Sequence, residues 1–355
     1  MKALTHRFPR FLAALVLLSL ALSACGANSN ATGSNPNSPV TVHLGYFPNI
    51  THAVALVGVA RGTFAKAIGK NTLDASKTFN AGPALMEALT AGDIDIGYVG
   101  PSPAINTYVK THGDALRIIA GSSSGGVELV VRPGANIKSA SDLQGKKIAD
   151  PQTGGTQDIS LRHYLQQHNL KPNDQGGNVQ IIPTDNSTIL NEFKAGQIDG
   201  AWVPEPWASR LVDEAKGAVL VDERTLWPNN QFATTIVVAR KAFLDQHPDI
   251  VKEFLQAHVE TVQYINSNPV QAQQIANNQL TKLSGKALSS AVVKRSFSDL
   301  SITYDPLAST VIQASNNAYA LGYLGTTKPD LSNLFSLDLL NSVLTSKGLQ
   351  KVSAS

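Results

Sequence analysis

The stretch ALMEALTAGDIDIGYVGPSPA, residues 84–104, is echoed by TILNEFKAGQIDGAWVPEPWA, residues 188–208. At a constant offset of 104, Ala91-Gly92 lies over Ala195-Gly196, Ile94-Asp95 over Ile198-Asp199, Val99 over Val203, and Ala104 over Ala208. Each copy reads as a helix, an Ala-Gly stop suited to a left-handed C-cap, a strand, and a proline-bearing loop that opens another helix. Two copies at that spacing predict two similar lobes rather than a solenoid.

Outward from these copies, short β-rich runs alternate with helical segments. Residues 42–47 read as a strand and 53–61 as a helix; 83–90 is helical, 94–99 a strand, 104–110 helical and 116–120 a strand. The alternation resumes beyond residue 145 with KKIAD, a helix near 158–167, VQIIP, a helix at 188–194, and IDGAWV. Strands alternating with helices indicate βα units and a mainly parallel sheet, an α/β fold. From Lys241 to about Ser346 the chain turns helix-rich, with Val251, Phe254, Leu255, His258, Val259 and Val262 at helical spacing and Pro248 at a first turn. His247 and His258 sit in no metal-ligand pattern.

The N-terminus carries an address. Lys2, Arg7 and Arg10 precede the uncharged apolar run Phe11–Leu22, which is too short to span a bilayer comfortably. Leu22-Ser23-Ala24-Cys25 follows, and it resembles the bacterial lipobox, in which the signal is cut before the cysteine and the thiol takes the lipid. Cys25 is the only cysteine of the 355 residues, so no intramolecular disulfide can form. The expected organisation is a signal over 1–24 and a flexible tether over 25–39, whose composition is too polar to order itself.

The remaining chain is long enough for two lobes with cores of their own. Of 29 basic residues three lie in the signal, which leaves 26 against 26 acidic ones, a near-neutral mature chain. Neither a nucleic-acid partner nor a basic membrane-binding face follows from that balance.

LGYFPNITHAVALVGVARGTF (44–64) and FNAGPALMEALTAGDIDIGYVGPSPAINTYVK (79–110) resemble the substrate-binding proteins of nitrate, sulfonate, taurine and bicarbonate ABC importers. The resemblance runs on through SGGVELVV (124–131), SDLQGKKIADPQTGGTQ (141–157) and AGQIDGAWVPEPWAS (195–209), and is nearest to the aliphatic-sulfonate-binding branch. It implies a two-lobed periplasmic-binding-protein fold of type II with two crossover hinge strands, GGVELVVR and FATTIVVAR. Lobe 1 would then hold 40–125, lobe 2 126–232, and residues 233–355 would return to lobe 1 and supply the C-terminal helices. It also implies a monomer held to the membrane by lipidated Cys25. That monomer would face the periplasm or cell surface and deliver a small anionic solute to permease subunits driven by a separate ATPase, with no cofactor or metal.

In open parallel sheets the ligand lies at the carboxyl ends of strands, where helix N-termini suit an oxyanion. The loops that should face such a cleft nominate Asn49, His52, Ser102, Ser124, Gly125, Thr153, Gly155, Thr156 and Gln157 as donors or close backbone approaches. Trp202, with Trp207, is a candidate apolar wall. Glu205 stands against a simple anion, because a carboxylate beside a sulfonate is repulsive. It is structural, or meets an amine at the far end of the ligand, or the ligand is not a simple anion. Taurine, nitrate, bicarbonate and a thiamine-type pyrimidine are the other cargoes, and a ligand-sensing input domain is the other use of lobe closure. An enzyme of the thiamine-pyrimidine-synthase or porphobilinogen-deaminase kind needs cysteines that the folded body lacks. Zinc, phosphate-loop and nucleophile-elbow motifs are also missing.

Overall fold

The computed structural model describes residues 38–354; the expected signal, the lipobox Cys25 and nearly all of the tether lie outside them. Eleven strands are described: β1 (Thr41–Gly45), β2 (Thr72–Asp74), β3 (Ile96–Val99), β4 (Leu116–Gly125), β5 (Val127–Val131), β6 (Lys147–Asp150), β7 (Gln180–Pro183), β8 (Gly200–Pro204), β9 (Ala218–Asp222), β10 (Ala233–Arg240) and β11 (Leu300–Ile302). They form two sheets, ordered β11-β4-β10-β3-β1-β2 and β7-β6-β8-β5-β9.

Leaving out β11, the two sheets share one pattern. β1 pairs parallel with β2 and β3, and β10 is inserted antiparallel between β3 and β4. In the second sheet β6 pairs parallel with β7 and β8, and β5 is inserted antiparallel between β8 and β9. Each sheet is therefore mixed, not purely parallel, and each antiparallel strand is the one that enters after a crossover. The internal echo is real in atomic detail. Asp95 accepts from the His43 N–H of β1 at 3.0 Å and pairs with Arg240 at 2.6 Å. Asp199, 104 positions on, accepts from the Lys147 N–H of β6 at 3.0 Å and pairs with Arg132 at 3.2 Å. The Ile-Asp dipeptide is thus a clamp at the start of the same strand in each lobe.

The crossovers leave little slack. β4 runs through Ser122–Gly125, where a loop was expected, because Ser123 and Ser124 pair with Thr235 and Ala233 of β10 and with β11. Gly125 and Gly126, at φ of 78° and 69°, then turn the chain into β5. The cores lie on both faces of each sheet. Tyr98, Phe64 and Phe254 pack together on one face of the first sheet, against the helix Pro248–Ser267. His258 of that helix is fully buried and bridges Tyr98 and the Gly121 carbonyl at 2.8 Å each. It is held neutral, its pKa pushed down to about 4 by burial. In the second lobe Trp202, Leu161 and Leu165 fill one face, and Phe193, Ile189 and Val203 the other. Among the described residues no helix is long and apolar enough to cross a membrane.

Candidate functional site

Both lobes contribute to a small internal cavity of about 30 Å³. The first lobe supplies Phe47, Asn49, Thr51, His52, Asn80, Ala81, Gly82, Gly100 and Pro103, and β10 adds Thr234 and Thr235. The second supplies Pro151, Gln152, Gly155, Thr156, Gln157, Asn186 and Pro204.

Among the described residues, five helices begin on this wall: Ala53–Ala60, Gly82–Ala91, Pro101–Lys110, Thr156–Gln167 and Asn186–Lys194. None of the five carries a side-chain cap. Ala53–Ala60 continues from the 3-10 turn Ile50–His52, whose Asn49 and Ile50 carbonyls already take the His52 and Ala53 N–H groups. The other four helices leave first-turn N–H groups without intrahelical partners and turn donors and partial positive charge toward the cavity. The local sequence explains the arrangement. Pro83, Pro101 and Pro103 fall in first turns, where a missing N–H costs nothing, and Gly155 at the start of Thr156–Gln167 lets the backbone come close.

The side chains add neutral polar atoms. The hydroxyls of Thr156 and Thr235 and the side-chain oxygen of Asn186 are buried and have no hydrogen-bond partner in the protein. His52 is 2 % exposed, and burial pushes its pKa down to about 3, so it is neutral. Its Nδ1 accepts from the Phe47 N–H at 3.3 Å, which leaves Nε2–H as the ring's donor. No lysine, arginine, aspartate or glutamate lines the cavity. Three fully buried acids adjoin wall residues in sequence: Asp158, Glu205 and, at the end of β6, Asp150. The Asp150 oxygens have no hydrogen bond of ordinary geometry, only a weak approach of the Gln152 N–H. Burial first, and then the Asp158 charge, push its pKa up to about 8.

The lobes meet tightly around this space. Trp207 Nε1 donates to Asn49 Oδ1 at 2.9 Å, and the Tyr323 hydroxyl donates to Asp158 Oδ2 at 3.0 Å. A Cβ built on Gly100 would overlap the Thr156 hydroxyl, so that pair closes to contact distance only because residue 100 is glycine.

Of the residues nominated from sequence, Asn49, His52, Gly155, Thr156 and Gln157 come together on the wall. The others do not. Ser102 is buried with an unpartnered hydroxyl in the first turn of its helix, but off the wall. Ser124 Oγ accepts from the Phe232 N–H at 3.2 Å and Gly125 carries the crossover turn, so both serve the hinge. Thr153 lies outside, on grooves at the rim. Trp202 faces the opposite way, into the core of its lobe, where its indole donates to Glu223 at 2.7 Å.

Glu205 is also off the wall and has a different duty. It is fully buried and accepts from Ser209 N–H and Oγ (3.1 and 2.9 Å), from Ser296 Oγ (2.8 Å) and from Arg295 (3.1 Å). Arg295 also grips both oxygens of buried Glu128 at 2.8 Å. Burial, followed by the Glu128 charge, pushes the Glu205 pKa up to about 7. This knot ties the helix Ser290–Ser298 to β5 and to the turn that follows β8.

Sequence reading missed Asn80, Asn186, Thr234 and Thr235. The signal for Asn186 was present: it lies 104 positions after Gly82, and both open the helix of their copy onto the cavity. Thr234 and Thr235 stand out as a polar pair ahead of the apolar run 236–239 of the same strand.

Comparison with known proteins agrees with this geometry. Residues 35–279 match the model of the NMT1-like family. The taurine-binding periplasmic protein of Escherichia coli K12 is 33% identical over 233 residues, covering 65% of this chain and 69% of that protein. In fold the chain is similar to the periplasmic nitrate-binding protein NrtA of Synechocystis PCC 6803, with a TM-score of 0.74 and 17% identity over 87% of this chain and 89% of that one. It is also similar to the alkanesulfonate-binding protein SsuA of Xanthomonas axonopodis pv. citri, with a TM-score of 0.68 and 20% identity over 81% of this chain and 96% of that one. These relatives are binding proteins rather than enzymes, and the two-lobed periplasmic-binding-protein fold read from the sequence is the fold found. The chain belongs to the NMT1-like family.

Proposed function

We propose that this protein is the extracytoplasmic solute-binding component of an ABC importer, anchored by a lipid on Cys25, and that its cavity takes the oxyanion head of a small organic anion of the aliphatic-sulfonate kind. The observation that carries the reading is the convergence of four uncapped helix N-termini on a wall without ionised side chains. Such a wall supplies several N–H and hydroxyl donors to one compact anion, each helix end contributing about 0.3–1 kcal/mol. With no cation to balance a second charge, a singly charged head fits better than a dianion. Ligand enters between open lobes, donors replace its hydration, and closure brings Trp207 to Asn49 and Thr156 to Gly100. The closed form is what a permease would recognise, with ATP hydrolysed by a separate subunit.

The test is a thermal-shift panel on residues 40–355 with alkanesulfonates, taurine, nitrate, bicarbonate and a thiamine-type pyrimidine. At a hundred times its dissociation constant a ligand stabilises by about 2.7 kcal/mol, a shift of a few degrees. Sulfonates should shift the midpoint, and Thr156→Ala should reduce the shift. A response to the pyrimidine alone, or to nothing, would remove the oxyanion assignment. Cys25→Ala should move the mature protein from the membrane to the soluble fraction.

A further inference from the structure

The cavity opens at one side. Asn80, Ala81, Pro151 and Gln152 belong both to its wall and to an open groove of about 570 Å³ between the lobes. A ligand whose head fills the 30 Å³ space has this shared wall as the way out for the rest of its body. Beyond it the groove is lined by Phe79, Thr153, Thr184 and Asp185, and Asp185 is the one ionisable residue among its lining residues. Asp185 is exposed, immediately precedes the helix Asn186–Lys194 and does not cap it with its side chain.

The adjacency of two residues bears on length. Asn186 is on the cavity wall and Asp185 is on the groove. Their Cα atoms are about 3.8 Å apart, as in any trans peptide. The donor-rich wall and the groove's carboxylate are therefore carried by neighbouring residues at one helix start, which suits a ligand with a short body.

Resting on the oxyanion reading above, we propose that Asp185 is a specificity-determining residue, receiving a cationic group at the far end of a short zwitterion whose oxyanion lies among the helix N-termini. Glu205, the acid that the sequence offered for this task, is consumed by Arg295 and two serines. Asp185 takes the role from the other side of the same strand ends. Its carboxylate also counts against a bare anion: a second negative charge in the tail is repelled, and an alkyl tail gains nothing from it.

The experiment is calorimetric titration of the mature chain with taurine and homotaurine, set against ethanesulfonate and propanesulfonate, for wild type and Asp185→Asn. Wild type should prefer the aminosulfonates by about two- to fivefold, the range of an exposed ion pair, and the preference should shrink at high salt. Asp185→Asn should bring the two classes together by weakening the aminosulfonates while leaving the alkanesulfonates where they were. Equal affinities in wild type, or a preference that survives Asp185→Asn, would overturn the role of Asp185 while leaving the head-group site standing. Failure of all four ligands to bind would overturn both.

Discussion

The indole of Trp207 reaches from the second lobe to the first and donates its N–H to the side-chain oxygen of Asn49 at 2.9 Å. Asn49 is on the cavity wall, and the Trp207 ring lies under the Arg210 guanidinium, 4.6 Å from the ring centroid. Trp207→Phe removes the bond and keeps an aromatic ring there. A single bond of this kind is worth about 0.5–1.5 kcal/mol, so ligand affinity should fall about two- to tenfold. The loss should be in the release rate, measured by stopped-flow fluorescence, with the midpoint of the ligand-free protein unchanged. An unaltered release rate would show that this bond does not hold the lobes together.

Gly100→Ala tests closure from the opposite direction. The added methyl would overlap the Thr156 hydroxyl and sit 3.6 Å from the Thr234 carbonyl. The first lobe has no need to change, but the lobes cannot reach contact. Affinity should drop about five- to hundredfold, the cost of overpacking by about 1–3 kcal/mol. Small-angle scattering should show no compaction on adding ligand. Pairing it with Thr156→Gly should restore compaction, even though a donor is lost.

Arg295→Ala should be among the most damaging single changes in the chain. It strands Glu128 and Glu205, which are 3 % and 0 % exposed, with no cation between them. Breaking a buried pair in this way costs about 3–5 kcal/mol; at 29 % side-chain exposure for Arg295 the lower end applies. Adding Glu128→Gln and Glu205→Gln should recover much of the loss, since the stranded charges are then gone. Chemical denaturation measures all three.

The buried acids set a pH dependence whose sign is unusual. Asp150 is pushed up to about 8, and burial pushes Glu205 and Glu223 up to about 7, above their ordinary values near 4 in an unfolded chain. Between about pH 4 and 8 the native state therefore keeps protons that the unfolded chain releases. The stability these acids contribute is fully present below that window and is lost as pH rises through the native values. His52 and His258, pushed down to about 3 and about 4, act in the opposite sense below about pH 6.5, where only the unfolded chain protonates them. The unfolding midpoint should therefore fall mainly between about pH 6.5 and 8.5, and Asp150→Asn should flatten the fall. At pH 8.5 that variant should gain on the order of 1 kcal/mol, about 2–4 °C. A midpoint that climbs over this range would contradict the assignment.

The βα alternation and the repeat were legible because both depend on local spacing. The 104-residue offset holds down to equivalent carboxylate clamps at Asp95 and Asp199. Helix starts were read late at Pro101, Thr156 and Asn186, because proline, threonine and asparagine look like loop residues until the turn they begin is seen. That lateness hid Asn186, which opens its helix on the cavity wall. Trp202 was misread for a different reason. Its strand alternates, with Trp202 toward one core and Val203 toward the other, and no local cue says which face meets the cleft. Glu205 could not be read at all from its surroundings, because Arg295, the cation that explains it, lies 90 residues away.

A cavity whose lining carries no ionised side chain draws its ligand only through the partial charges of its helix ends, which fade within a turn. Capture is then weakly steered, and its rate should change little between dilute buffer and strong salt. Chloride and other abundant ions gain no entry advantage from attraction at a distance, and each must match the donor geometry after shedding its water. The protein sorts its encounters on the way out rather than on the way in.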